Sequence, residues 1–378
     1  MHPCTGPCHD GVRLGGGSAR PAGAAAGAQH ARPVRAVRQV VQRRARQLRG
    51  GGMTVVGTVL PMGMSEAVVA SAYGGPEVLS VIDVTVPEPG PGQVRIAVRA
   101  VGVNPFDYKM YSGAFGADPA KLPLRLGSEA AGVVTAVGAD ATGPAGPVRV
   151  GDEVIVYRAP GAYAAELLVP ASSVVPKPAV LSWEQAGGLM VAGVTAVHVL
   201  EAVGLAKGET VLVHGAAGGV GLVVVQLAVA RGATVVATAS PAKHELLREL
   251  GAVPVAYGPG LADRVRAAAP RGIQAAADLV GTDEAVDVSL ELVSDRSRVA
   301  TIAAFERGAE AGIKLLGGGP GADPGTAIRQ AARLQLTEAA AAGRLRILIA
   351  SSHPLREAAA AHRESMAGRT TGKIVLLP

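Results

Sequence analysis

Three glycines spaced three apart, Gly215, Gly218 and Gly221, close the stretch VLVHGAAGGVG at residues 211–221. An apolar run leads into them and a helical pattern follows. In that setting one glycine permits the tight turn, one lets the backbone approach a pyrophosphate, and one lets the helix pack against the strand. The amide groups and dipole of the helix start then favour an anion over Gly215, Ala216, Ala217, Gly218, Gly219, Val220 and Gly221. The next strand discriminates between dinucleotides. An NAD site usually places an acid about 20 residues on, against the ribose 2′-hydroxyl. Here TVVATASPAKHELLRELGA (234–252) has no acid before Glu245 and offers Ser240 and Lys243 instead. An ammonium attracts a 2′-phosphate, so NADPH is expected rather than NADH.

The elements that must carry this loop read as βαβ alternation. A helical pattern covers 182–204, with Ser182 as its N-cap. Strands follow at 210–214, 234–239, 253–257, 275–280 and 298–303, and helices at 219–231, 241–250, 261–268 and 283–293. Such alternation means a doubly wound parallel sheet covered by helices. The stretch before it differs. QVRIAVRAVGV (93–103) alternates, with Val94, Ile96 and Val98 on one face and Arg95 and Arg99 on the other. EAAGVVTAVG (129–138), VGDEVIVY (150–157) and GAYAAELLVP (161–170) are further strand candidates between Gly/Pro turns. Several short strands without helical periods predict an antiparallel, barrel-like unit. A helix at 326–342 and the strand GKIVLLP (372–378) look like a return to that unit.

The chain has 378 residues and a net charge of +6, and the length suggests about two domains. Residues 1–61 hold nine Arg and one acid, Asp10, for +8, while the other 317 residues carry −2. The body gives no broad charge argument for nucleic acid, which is not expected as a partner. Residues 1–63 read as a disordered basic extension, with order beginning near Ser65. Both cysteines, Cys4 and Cys8, lie in that extension beside His2 and His9. They read as an incidental cluster, since no packed core surrounds them. No apolar run reaches the ~18 residues of a membrane span, so no membrane association and a cytoplasmic location are expected.

With these residues in view, the chain resembles the medium-chain dehydrogenase/reductase superfamily, and more narrowly its zinc-independent NADPH:quinone oxidoreductases. The stretches that carry the likeness are VGVNPFDYKMYSG, LPLRLGSEAAGVVTAVG, VGDEVIVY, VLVHGAAGGVG, TASPAKHELLRELGA and GKIVLLP, spanning 65–378. The resemblance implies an α/β protein. A GroES-like antiparallel β-barrel domain would cover 64–185 and 316–378, and a Rossmann doubly wound NADPH-binding domain 186–315. It also implies a cleft between them and a homodimer.

Zinc-dependent members of the superfamily have a Cys in the Asn104–Asp107 region and GHE where this chain has GSE, so Ser128 replaces the His. The body has no cysteine. Catalytic zinc takes three protein ligands and an open position, which Glu129 and His198 cannot supply. The expected reaction is therefore hydride transfer from NADPH to an already activated acceptor, a quinone or an α,β-unsaturated carbonyl. By resemblance, Asn104 and Thr195 lie beside the nicotinamide. Ser240, Lys243 and Tyr257 form the 2′-phosphate pocket. Val280, Gly281 and Ala303 to Phe305 flank the nicotinamide, and Lys373 matches the closing GK. Tyr108 and Tyr111 are the proton-donor candidates. Asp107 reads as a structural acceptor, and Tyr163 and His198 as packing residues. The alternatives are an enoyl (thioester) reductase of the same superfamily and a non-catalytic NADPH-binding sensor or structural protein.

Overall fold

The computed structural model describes residues 64–378. The basic extension and its Cys4/Cys8 cluster lie outside the described residues. Among those described, no helix is long and apolar enough to cross a membrane.

The alternating stretch forms the long strand Gln93–Val103, the centre of a seven-stranded sheet. It pairs antiparallel with Glu129–Val137, Glu166–Pro170 and Lys373–Leu377. Val94, Ile96 and Val98 point into the core as their spacing predicts, and from Ala100 to Val103 both faces are buried. The second face is covered there by the helix Trp183–Gly187, whose Gly187 packs on Ala100. This strand delivers Asn104 at its end. One departure from an all-antiparallel sheet is the pair Ile349–Pro354 and Lys373–Leu377, which is parallel. A parallel pair needs a crossover, and the helix Ala358–Met366 supplies it.

The second sheet is parallel throughout, ordered Val253–Val255, Thr234–Thr238, Thr210–His214, Ala275–Asp278, Val299–Thr301, Lys314–Leu315. Its strands thus run 3-2-1-4-5-6, the doubly wound order whose crevice opens where the winding reverses. That point lies between Thr210–His214 and Ala275–Asp278. The central strands are buried on both faces, which is why they read as continuous runs of Val, Leu and Ala.

The helical pattern at 182–204 resolves into two helices, Trp183–Gly187 and Met190–Ala202. The break falls at Gly187–Gly188, where the chain must approach strand Gln93–Val103 and Lys373 closely. The returning helix Thr326–Ala341 packs on Met190–Ala202, and the last strand joins the first sheet.

Candidate active site

At the floor of the cleft, three side chains from three distant segments meet. Lys373 Nζ donates to Glu129 Oε1 (3.0 Å), Asn104 Oδ1 (2.6 Å) and the carbonyl of Val103 (2.9 Å). An ammonium has three protons, and all three are used. Asn104 Nδ2 donates to the same Glu129 oxygen at 3.0 Å, and Glu129 Oε2 accepts from the amide of Val191 at 2.8 Å. Val191 lies in the first turn of the helix Met190–Ala202, so the carboxylate also sits at the favourable end of a helix dipole. Asn104 therefore has its amide orientation fixed from both sides. Lys373 lines the cleft, but its charge is directed into this cluster.

Behind Asn104 lies a second buried network. Asp107 Oδ2 accepts from the Asn104 amide (2.9 Å) and from the Tyr163 hydroxyl (3.0 Å). Tyr163 has one proton and gives it to Asp107, so its oxygen accepts from His362 Nε2 (2.8 Å). His362 Nδ1 then accepts from the Tyr111 hydroxyl at 2.7 Å. Burial pulls His362 down to about 4, which keeps the ring neutral as this pattern requires. Burial pushes Asp107 up to about 7, against the lowering effect of its hydrogen bonds and of Lys373. Tyr111 is held inside this network. Of the two candidate donors Tyr108 is the one that lines the cleft; its hydroxyl bonds to none of the described residues, and desolvation raises its pKa.

The glycine loop takes the form its spacing predicts. Gly215 has φ +69°, a left-handed turn that side chains disfavour. At Gly221 a Cβ would lie 2.4 Å from the Gly215 carbonyl, so the helix Gly219–Ala230 could not close on the strand. At Gly218 a Cβ would meet only that carbonyl, at 3.4 Å, and otherwise enter open space. The first amides of the helix have no intrahelical acceptor. Together these features fit a bound pyrophosphate. Ala217, Gly218, Gly219, Val220 and Gly221 line the cleft with Gly215, while Ala216 is buried in the core behind them.

Ser240, Lys243 and Tyr257 line the same cleft, and Lys243 has no carboxylate within salt-bridge distance among the described residues. Val280, Ala303 and Phe305 line it as well, whereas Gly281 packs behind against Ala303. Sequence reasoning missed what holds these loops. Asp278 Oδ1 accepts from the amides of Val280 and Gly281, and its Oδ2 accepts from Thr301 Oγ1 at 2.7 Å. Thr301 Oγ1 in turn accepts from the amides of Ala303 and Ala304. One buried Asp–Thr pair at the strand ends thus pins both loops.

Thr195 also has a partner the sequence did not suggest. Arg329 Nη1 donates to Thr195 Oγ1 at 2.9 Å, and Arg329 Nε to His198 Nδ1 at 3.3 Å. His198 Nε2 then donates to Asp323 at 3.2 Å. Since Thr195 accepts from Arg329, its own proton is free to point into the cleft. His198 is held neutral, chiefly by burial and then by Arg329. Asp323 belongs to GGGPGADPG (317–325), so this chain of contacts ties Thr195 to the glycine-rich wall. Thr326–Ala341, which carries Arg329, shows only helical periodicity in sequence.

The cleft encloses about 1690 Å³. Ligand pockets commonly run ~300–1,000 Å³, so it has room for a dinucleotide and an acceptor together. Among the described residues, no three His, Cys, Asp or Glu side chains converge as a metal-holding group. Both oxygens of Glu129 are engaged, and the Lys373 ammonium is its counter-cation.

A doubly wound sheet with a glycine loop at its switch point, facing a barrel-like unit across a deep cleft, is the architecture of nicotinamide-dependent oxidoreductases. Family models agree: residues 90–179 match the alcohol dehydrogenase GroES-like domain, and residues 250–376 match the zinc-binding dehydrogenase model. The chain is 36% identical over 333 residues to a quinone oxidoreductase of Pseudomonas aeruginosa, covering 83% of this chain and 100% of the relative. A mycobacterial protein solved with NADPH superposes with TM-score 0.72 at 32% identity, covering 83% of this chain and all of that one. The Escherichia coli quinone oxidoreductase in complex with NADPH gives TM-score 0.71 at 26% identity, with the same coverage. The chain belongs to the quinone oxidoreductase-like family of medium-chain dehydrogenases/reductases.

Proposed function

We propose that this protein transfers hydride from NADPH to a quinone or an α,β-unsaturated carbonyl without a catalytic metal. The single observation that carries the no-metal reading is Lys373 standing as counter-cation to Glu129, with both carboxylate oxygens already bonded. Together with the lack of three converging metal-binding side chains among the described residues, it supports a site whose residues do not suit a catalytic zinc, although one matching family model is described as zinc-binding. The acceptor must then be electrophilic by its own structure, as quinones and enones are.

Bound NADPH supplies the hydride. The chain's residues do the rest. The loop 215–221 and the first amides of its helix receive the pyrophosphate. Lys243, with Ser240 and Tyr257 beside it, receives the 2′-phosphate. Asn104 and Thr195 orient the nicotinamide, Thr195 with its proton directed away from Arg329. Tyr108, kept protonated by desolvation, donates the proton that completes enone reduction.

Steady-state assays with both cofactors and a panel of quinones and enones test this reading. NADPH is expected to be preferred over NADH, with turnover of at least one acceptor class in chelator-treated protein. NADPH binding without turnover of any acceptor would instead favour a non-catalytic role.

A further inference from the structure

The cleft is lined by more cations than the dinucleotide contacts and internal hydrogen bonds described above account for. Lys109, Arg125, Arg158, Lys243, Arg329 and Arg369 all line the cleft, and none has a carboxylate within salt-bridge distance among the described residues. The acid on the lining, Glu284, accepts from the Gly258 amide. Lys243 is allotted to the 2′-phosphate, and Arg329 is engaged by Thr195 and His198. Arg125 and Arg158 have no such task, and both line the cleft. Arg125 lies over the turn that follows Arg158, where a Cβ on Gly161 would come within 2.8 Å of its Nε. Arg158 itself holds φ +61°, a left-handed backbone that a non-glycine residue keeps only where its surroundings enforce it. The cleft also exposes an aromatic pair, Phe106 and Phe115, with ring centroids 5.4 Å apart, and Phe106 lies against Gly318 of the facing wall. Such rings suit a planar conjugated group. A cleft of one charge sign concentrates ligands of the other.

We propose that the acceptor carries a negative charge, a carboxylate or a phosphate, received by Arg125 and Arg158 while Phe106 and Phe115 hold its planar part. This rests on the oxidoreductase reading above for the placing of the cofactor, and it adds the class of acceptor.

The test is equilibrium binding to the NADPH-loaded protein of three unreactive planar probes: 2-naphthoate, 2-naphthyl phosphate and 2-naphthamide. One or both anions should bind at least tenfold more tightly than the amide, with the advantage shrinking as salt is raised. The stronger anion tells a free carboxylate from a phosphate-bearing carrier. The double variant R125Q/R158N, in which Asn tolerates the left-handed backbone, should lose the advantage and bind the amide and NADPH unchanged. Equal binding of all three probes to the natural protein would overturn the proposal. So would an advantage that survives in the double variant but vanishes with Lys243→Ala, since the probes would then occupy the dinucleotide's own phosphate site. Turnover of neutral quinones alongside either of these results would leave the proposed function standing while this inference fell.

Discussion

Lys373 Nζ lies 3.0 Å from Glu129 Oε1, the lysine 6% exposed and the glutamate fully buried. Residues 244 positions apart are thereby joined under Asn104. A buried pair is not by itself a source of stability, but removing one partner strands the other charge. Lys373→Met should therefore destabilise the protein by roughly 3–5 kcal/mol. The double variant Lys373→Met/Glu129→Leu should recover part of that loss, because no orphan charge remains. Urea unfolding of both variants measures the difference. A double variant less stable than the single would show that the bonds of Glu129 to Asn104 and the Val191 amide outweigh the cost of its stranded charge.

Lys243→Ala tests the choice of dinucleotide. A charge-assisted hydrogen bond contributes about 1.5–3 kcal/mol, so KM for NADPH should rise roughly tenfold to a hundredfold. KM for NADH should stay nearly constant, because NADH has no 2′-phosphate. Equal effects on both would assign Lys243 a structural role.

Asp107 gives a pH signature of defined sign. Burial raises its carboxyl from 3.8 to about 7 in the folded state. The protonated form is thus favoured by folding. Its contribution is fully present below about pH 4 and is lost as pH rises through about 7. Raising the carboxyl from 3.8 to about 7 corresponds to a cost on the order of 4 kcal/mol for the ionised form above neutrality. The stability of the natural protein relative to Asp107→Asn should therefore fall between pH 4 and 7. Asn keeps an oxygen to accept from Asn104 and Tyr163. A difference that stays flat across this window would contradict the assignment.

Tyr108→Phe separates proton donation from binding. Loss of a general acid typically costs 10²-fold or more, so kcat for an enone should fall by about that factor while KM for NADPH is unchanged. Tyr111→Phe should act on stability instead, since its hydroxyl is bonded to His362 within the core. The opposite pattern would exchange the two roles.

Much of the fold is legible in sequence because its signals are local. The period-2 alternation of 93–103, the apolar run before Gly215 and the lack of an acid between Arg231 and His244 each state their own meaning. What escapes is long-range. Nothing near Lys373 announces that its ammonium meets Glu129 and Asn104. Nothing in TAIRQAARL marks Arg329 as the partner of Thr195, and Asp278 reads as the end of a strand rather than the anchor of two loops. The helical pattern at 182–204 does not show its break either. That break answers to the close approach of Gly187 to Ala100, a strand about 90 positions earlier in the chain. Pairings of this kind are set by topology, which residue spacing does not encode.

The proposed reaction is hydride transfer from NADPH to an activated acceptor without a metal. The most direct measurement follows deuterium from NADPH labelled at nicotinamide C4, on each face in turn, into an enone product in protein stripped of metal by a chelator. The label is predicted on the product's β-carbon from one face only, at a rate that added zinc leaves unchanged. Absence of label from the product, or transfer that appears only after zinc is restored, would contradict it.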